Sequence, residues 1–184
     1  MIETLILAIV QGITEFIPVS SSSHLFLFSD FLNFQNKSLS IDVSLHIGSF
    51  IAILTYFYKD IINFVKNKEL FIKIIISSIP VMFIGYILVQ SNLIENLRNI
   101  KIIAWTTIFF GVLLYLSDKY KLDKTIENNF NIKSAIIIGI FQVISLIPGV
   151  SRSGITITAA RLLNFNRVDA TKISFLLSVP TLGA

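Results

Sequence analysis

The sequence predicts an all-α fold: a polytopic membrane protein of inverted-topology repeats with two re-entrant helical hairpins. Three observations carry this prediction. Of 184 residues, 54% are apolar and only 14% charged, with a mean hydropathy of +0.79, whereas a soluble domain carries about 25% charged residues. The apolar residues come in long blocks without period-2 alternation, which excludes a β-barrel. An interrupted apolar stretch near the start also recurs once further along, the mark of an internal repeat. Cysteine is absent, which removes disulfides, thiol chemistry and Cys-based metal sites. The net charge of +4 does not argue for nucleic acid, because no basic run is interleaved with stacking aromatics.

The apolar segments run over about 2–19, 41–58, 70–90, 100–117, 134–150 and 172–184, with asparagines at the joints. No cleavable signal peptide is expected, because Glu3 is the only charge in the first ten residues. A bilayer core needs about 20 helical residues, so the second, third and fourth segments are read as full spans.

The first and fifth segments are each cut by a proline and a hydroxyl-rich turn. These are Pro18-Val19-Ser20-Ser21-Ser22-Ser23-His24 and Pro148-Gly149-Val150-Ser151-Arg152-Ser153-Gly154, each followed by another short apolar stretch. Every piece is shorter than a crossing, so each pair is read as a hairpin that enters, turns at mid-depth and leaves by the same face. Irregular backbone at that depth is tolerated only where protein buries it or a wet cavity meets it.

The hairpins match each other. Ala8-Ile9-Val10-Gln11-Gly12-Ile13-Thr14 aligns with Gly139-Ile140-Phe141-Gln142-Val143-Ile144-Ser145, and Val19-Ser20 with Val150-Ser151. Three spans separate the copies, so the second hairpin is expected to enter from the opposite face, and such repeats place their sites near the midplane. The 184 residues are read as a single membrane domain, with one repeat over about 1–117 and a second from about 134. The last segment is about 20 Å of helix and lacks a polar flank, so a C-terminal truncation is expected.

Charge sorts the faces. Lys37, Arg98 and Lys101 fall on the N-terminal side. Lys59, Lys66, Lys68, Lys73, Lys119, Lys121, Lys124, Lys133, Arg161, Arg167 and Lys172 fall on the other. The richer side is expected to be cytoplasmic, so the first hairpin opens outward.

An ionisable group at mid-bilayer costs about 2.5–3.5 kcal/mol on insertion scales. Glu15, His24 and Arg152 lie in the interrupted hairpins and so ask for a function. Gln11 and Glu15, four apart on one helix face, can ligate a hard divalent cation such as Mg²⁺ or Ca²⁺; Glu15 can equally pair with Arg152. Ser20–Ser23 can cap the next half-helix, bind an anion there, or supply a nucleophile, Ser20 or Ser21, if a base such as His24 reaches it. Ser151, Ser153, Gly149 and Gly154 permit an anion nest, to which Arg152 adds a fork suited to phosphate. His46 lies in a plain span and reads as an interhelical hydrogen-bond donor. Anion groups, a cation site and an apolar wall together point to a di- or polyphosphate on a lipid tail.

At these residues the chain resembles the bacterial undecaprenyl-diphosphatase family of the bacitracin-resistance type. Gln11 through His24 is similar to its first signature and Pro148 through Gly154 to its second. Leu45-His46-Ile47-Gly48-Ser49 and Phe175-Leu176-Leu177-Ser178-Val179-Pro180 also follow the family. The resemblance implies hydrolysis of undecaprenyl diphosphate to the monophosphate plus phosphate at the outer face of the bacterial plasma membrane. That step recycles the carrier lipid for peptidoglycan synthesis and gives bacitracin resistance. It implies that Glu15 serves the divalent cation and that Arg152 with the serine turn holds the diphosphate, His24, Ser20, Ser21 or water being the nucleophile or base. Many members carry Glu where this chain has Gln11, so any acid–base role falls to Glu15 or His24. The expected partners are a prenyl diphosphate lipid and the membrane, with a homo-oligomer left open. Two other readings compete: a lipid-phosphate transporter of the same architecture, and a lipid phosphatase with a Ser-Arg turn followed by His. The second is disfavoured because no His follows Arg152.

Overall fold

The computed structural model describes residues 2–15, 17–32, 34, 39–91 and 99–183. Among these the chain is helical, with one isolated β-bridge between Lys124 and Phe165. The helices are α1 (Ile2–Thr14), α2 (Ser21–Phe31), α3 (Leu39–Tyr56), α4 (Tyr58–Lys66), α5 (Lys68–Gln90), α6 (Ile100–Asp118), α7 (Ile126–Asn129), α8 (Ile132–Val143), α9 (Arg152–Leu162) and α10 (Arg167–Leu182). A 3₁₀ turn, Ile144–Leu146, follows α8.

The two interrupted segments are broken helices as expected. α1 and α2 have 13 and 11 residues, and α8 and α9 have 12 and 11. At 1.5 Å per residue each is about 16–20 Å long, short of a bilayer core of about 30 Å. Within each pair the two half-helices pack on each other.

α5 and α6 are long and apolar enough to cross a membrane. The second predicted span differs. Its helix stops at Tyr56, and the chain bends by 77° before α4, so it counts as a full crossing only when α3 and α4 are taken as one broken span. Lys59 and Asp60 begin a helix whose polar residues share a face with Asn63, and Lys59 sits 5.7 Å over the Tyr58 ring. The bend is held from the other side by Phe57, whose ring lies 4.6 Å from that of Phe175 on α10. Lys37 and Arg98, two of the three basic residues on the N-terminal side, lie outside the described residues.

The core lies among α5, α8, α9 and α10, where Ile74, Ala135, Ile138, Ala159, Ala160, Ala170, Ile173 and Leu177 are buried. Small residues let these helices approach. A Cβ on Gly139 would stand 2.4 Å from the Ser77 carbonyl oxygen, and the Ser77 hydroxyl donates to the Ala135 carbonyl. At one end Arg161, 2% exposed, ties three chain segments together. It donates to the Phe165, Asp118 and Tyr120 carbonyls and pairs with Asp118 at 3.2 Å. α9 is thereby fixed at its C-terminus, and its N-terminus is aimed at the turn between α1 and α2.

Candidate active site

The two turns meet. The Ser153 hydroxyl donates to the Ile17 carbonyl at 3.4 Å, and a Cβ on Gly154 would lie 3.4 Å from the Pro18 carbonyl oxygen. Across this junction Arg152 Nη2 pairs with Glu15 Oε1 at 3.0 Å. Arg152 is the first residue of α9 and Glu15 the residue after α1, so the contact joins the two hairpin tips.

Glu15 is held from several sides. Its Oε2 accepts from Gln11 Nε2 at 3.0 Å, one helical turn back, and from the Ser21 hydroxyl at 2.7 Å. Gln11 also donates toward Ser49 on α3 at 3.4 Å. Arg152 is steadied by Thr181 on α10, whose hydroxyl donates to the Leu177 carbonyl at 2.7 Å. The Thr181 oxygen is thus left to accept from Arg152 Nη1, also at 2.7 Å. With one nitrogen on each partner, the guanidinium retains donors for an anion.

Two cavities share this pair. A polar one of about 200 Å³ is lined by Glu15, Ser20, Ser21, Ser22, His46, Ser145, Ser151, Arg152, Ser153 and Thr181, among others. A larger one of about 840 Å³ touches Glu15, Arg152 and Ser153 and continues along Ile53, Phe57, Phe64, Ile157, Phe175 and Leu176, with Asp60, Asn63 and Lys172 also in its wall. A charged head group and an apolar chain can therefore be accommodated side by side.

The remaining residues singled out from sequence are placed as follows. Ser151 caps α9, its hydroxyl accepting from the Gly154 N–H at 3.1 Å. That N–H is therefore not free for an anion, contrary to the nest expected there. Gly149 sits at φ +94, and a Cβ there would meet Thr106 Oγ1 at 2.0 Å and the Ile103 carbonyl oxygen at 2.7 Å. Its need is close packing on α6, where Thr106 also donates to the Pro148 carbonyl at 2.7 Å. Ser20 occupies the N-cap position of α2 without a side-chain cap bond, because its hydroxyl bonds that of Ser23 at 2.9 Å. His24 points its Nδ1 at the Ser20 carbonyl, 2.7 Å away, and lines neither cavity.

Sequence reasoning passed over two residues of the site. Among the described residues His46 makes no hydrogen bond to a neighbouring helix, and its contact across helices is at ion-pair distance from Glu15. Its Nδ1 donates to the Asp42 carbonyl of its own helix at 2.8 Å, and its Nε2 lies 3.8 Å from Glu15 Oε2. The signal was present, since an imidazole inside an apolar segment carries the same insertion penalty that marks Glu15 and Arg152. Thr181 gave no such signal, a hydroxyl near the end of a helix being commonplace.

Among the described residues no group of three or more His, Cys, Asp or Glu side chains comes together. A cation here would have to take oxygen ligands from Glu15 and its neighbours. Gln11 fits that need: it is 1% exposed, and its Oε1 is buried without a hydrogen-bond partner. One carboxylate and one carbonyl suit Mg²⁺, which keeps waters and substrate phosphates in its remaining positions.

The family model described as "Bacitracin resistance protein BacA" matches residues 4–184. An undecaprenyl-diphosphatase of Pelagibacter ubique is 52% identical over 184 residues, covering 100% of this chain and 72% of that protein. One from Hahella chejuensis is 41% identical, covering 100% of this chain and 73% of its own length. One from a Ruegeria species is 36% identical, covering 100% and 74%. With both signatures, the joined hairpin tips and a match over almost its whole length, the chain belongs to the BacA family of bacitracin resistance proteins.

Proposed function

We propose that the protein hydrolyses undecaprenyl diphosphate to undecaprenyl phosphate and phosphate. The reaction takes place at the outer face of the bacterial plasma membrane, recycling the carrier lipid for peptidoglycan synthesis and giving bacitracin resistance. The observation that carries the reading is the Arg152–Glu15 pair between the hairpin tips, at the shared wall of a polar and a mostly apolar cavity. The names of the relatives support the activity. The three-to-eleven split of basic residues supports the outward orientation.

In this reading the free donors of Arg152 bind the diphosphate bidentately. Glu15 Oε2, which already accepts from Ser21 at 2.7 Å, takes the hydroxyl proton as Ser21 Oγ attacks the terminal phosphorus. The new O–P bond forms as the bridging P–O bond breaks, and its electron pair leaves on the lipid monophosphate. Water then releases phosphate from the serine. The geometry favours Ser21 over Ser20, whose hydroxyl is bound to Ser23, and over His24, which lines neither cavity. A divalent cation, held by Glu15 and by Gln11 through its unpartnered oxygen, would neutralise phosphate charge.

The test is phosphate release from a prenyl diphosphate by purified protein in detergent, with and without EDTA. Release abolished by EDTA and lowered by about 10²–10³-fold by Arg152→Ala is expected; no release by the wild type would overturn the reading. The competing transporter reading draws on the larger cavity, which reaches the same pair from the α4 and α10 side. It predicts movement of lipid phosphate across vesicles without hydrolysis.

A further inference from the structure

We infer that Thr181 is a positioning residue: its hydroxyl sets the direction of the Arg152 fork and keeps it set while Glu15 takes up a proton. The inference rests on the phosphatase reading above and adds to it a residue that acts only through Arg152.

An arginine side chain is long and flexible, so a single contact at its tip leaves it free to pivot. Here the tip has two partners on different elements. Nη2 donates to Glu15 Oε1 at 3.0 Å, and Nη1 donates to Thr181 Oγ1 on α10 at 2.7 Å. Contacts at two nitrogens fix the plane of the guanidinium, and with it the lines along which the remaining N–H groups point. The anchor is itself fixed. Thr181 donates to the Leu177 carbonyl one turn back at 2.7 Å, a bond that selects one rotamer of a helical threonine. Its proton is committed there, so toward Arg152 the hydroxyl only accepts. α10 packs on α9, which carries Arg152, and a buried bond of 2.8 Å joins Thr156 on α9 to Ser174 on α10. The base and the tip of the arginine are thus held by one packed pair of helices.

The two contacts differ in kind. Glu15 is charged only until it takes the Ser21 proton, and its hold on Arg152 weakens at that moment. Thr181 is neutral throughout, and its oxygen accepts equally well before and after the transfer. Removing that oxygen leaves the charge of Arg152 in place but not its direction. Charge alone still draws a diphosphate into the polar cavity that both residues line. The transition state needs more, namely donors aimed at the oxygens on which charge develops. Loss of Thr181 therefore acts on the chemical step more than on substrate binding.

The test uses the purified full chain in detergent with farnesyl diphosphate as substrate. Thr181→Val keeps the branched shape and loses the oxygen, whereas Thr181→Ser keeps the oxygen. Thr181→Val should lower kcat at least about tenfold and leave KM within about threefold. Thr181→Ser should restore kcat to within about threefold of wild type. In an Arg152→Ala background Thr181→Val should change release by less than about twofold, because no fork is left to aim. Thermal melts confirm that each variant is folded. A second readout does not depend on turnover. Phenylglyoxal attacks guanidinium groups, and its rate at Arg152, followed by peptide mass spectrometry, should rise at least about threefold in Thr181→Val and not in Thr181→Ser. Wild-type kcat and modification rate in folded Thr181→Val, a Thr181→Ser as slow as Thr181→Val, or an equal loss with and without Arg152 would each overturn the inference. Absence of release by the wild type counts against the phosphatase reading, and the modification rates then decide whether Thr181 holds Arg152.

Discussion

At the start of α9 the Ser151 hydroxyl takes the Gly154 N–H, whereas at the start of α2 the matching Ser20 hydroxyl turns to Ser23 and leaves the helix without a side-chain cap. The difference extends along both hairpins. α9 buries Gly154, Ile155, Thr156 and most of the residues after them, and is pinned at its far end by Arg161. α2 buries only Ser21, Ser23 and Leu25, and α1 leaves Ile2, Leu5, Ile9 and Ile13 exposed, an apolar face suited to lipid. The second hairpin is thus held by packing and capping. The first is held at its tip by polar side chains gathered on Glu15. One supplies an arginine at the start of a packed helix, and the other an acid, hydroxyl and amide cluster.

Substitutions can break this contrast. The largest effect is expected where the hairpins depend on each other. Arg152→Ala should lower phosphate release by about 10²–10³-fold, the range seen when one preorganised donor is lost, while the metal-free protein stays folded. Next is the packed turn: Gly149→Ala must hold φ +94 with a Cβ pressed on Thr106 and Ile103. It should cost about 2–4 kcal/mol of stability, read as a lowered Tm or reduced recovery of folded protein. Gly139→Ala should cost about 1–3 kcal/mol by prising α8 from Ser77 on α5. The smallest pair is the sharpest. Ser151→Ala should cost about 1 kcal/mol as a lost cap, whereas Ser20→Ala should leave thermal stability nearly unchanged. Equal losses would mean that the two starts are alike.

Much of this plan is legible from residue types. Pro18 and Pro148 with their serine turns mark the breaks, and the insertion penalty marks Glu15 and Arg152, which the structure joins at 3.0 Å. What sequence leaves open is where hydrogen bonds are spent. Nothing in Ser20 and Ser151 says that one caps and the other does not. The Gly154 N–H looks available until the Ser151 hydroxyl is seen to occupy it. His46 carries the insertion penalty of an imidazole in an apolar segment, but that it faces Glu15 depends on how α3 packs on α1, which its sequence neighbours do not fix. The bend at Phe57 likewise depends on a ring contact with Phe175, more than a hundred residues later.

The central claim is that both tips act as one site on the diphosphate. A double-substitution cycle on phosphate release tests it most directly, comparing wild type, Glu15→Gln, Arg152→Ala and the double variant at saturating metal. Groups that work as a unit are not additive, so the double variant should be no slower than the slower single variant, within about threefold. A double variant whose loss is the product of the two single losses would show that acid and arginine act independently, and would contradict the account.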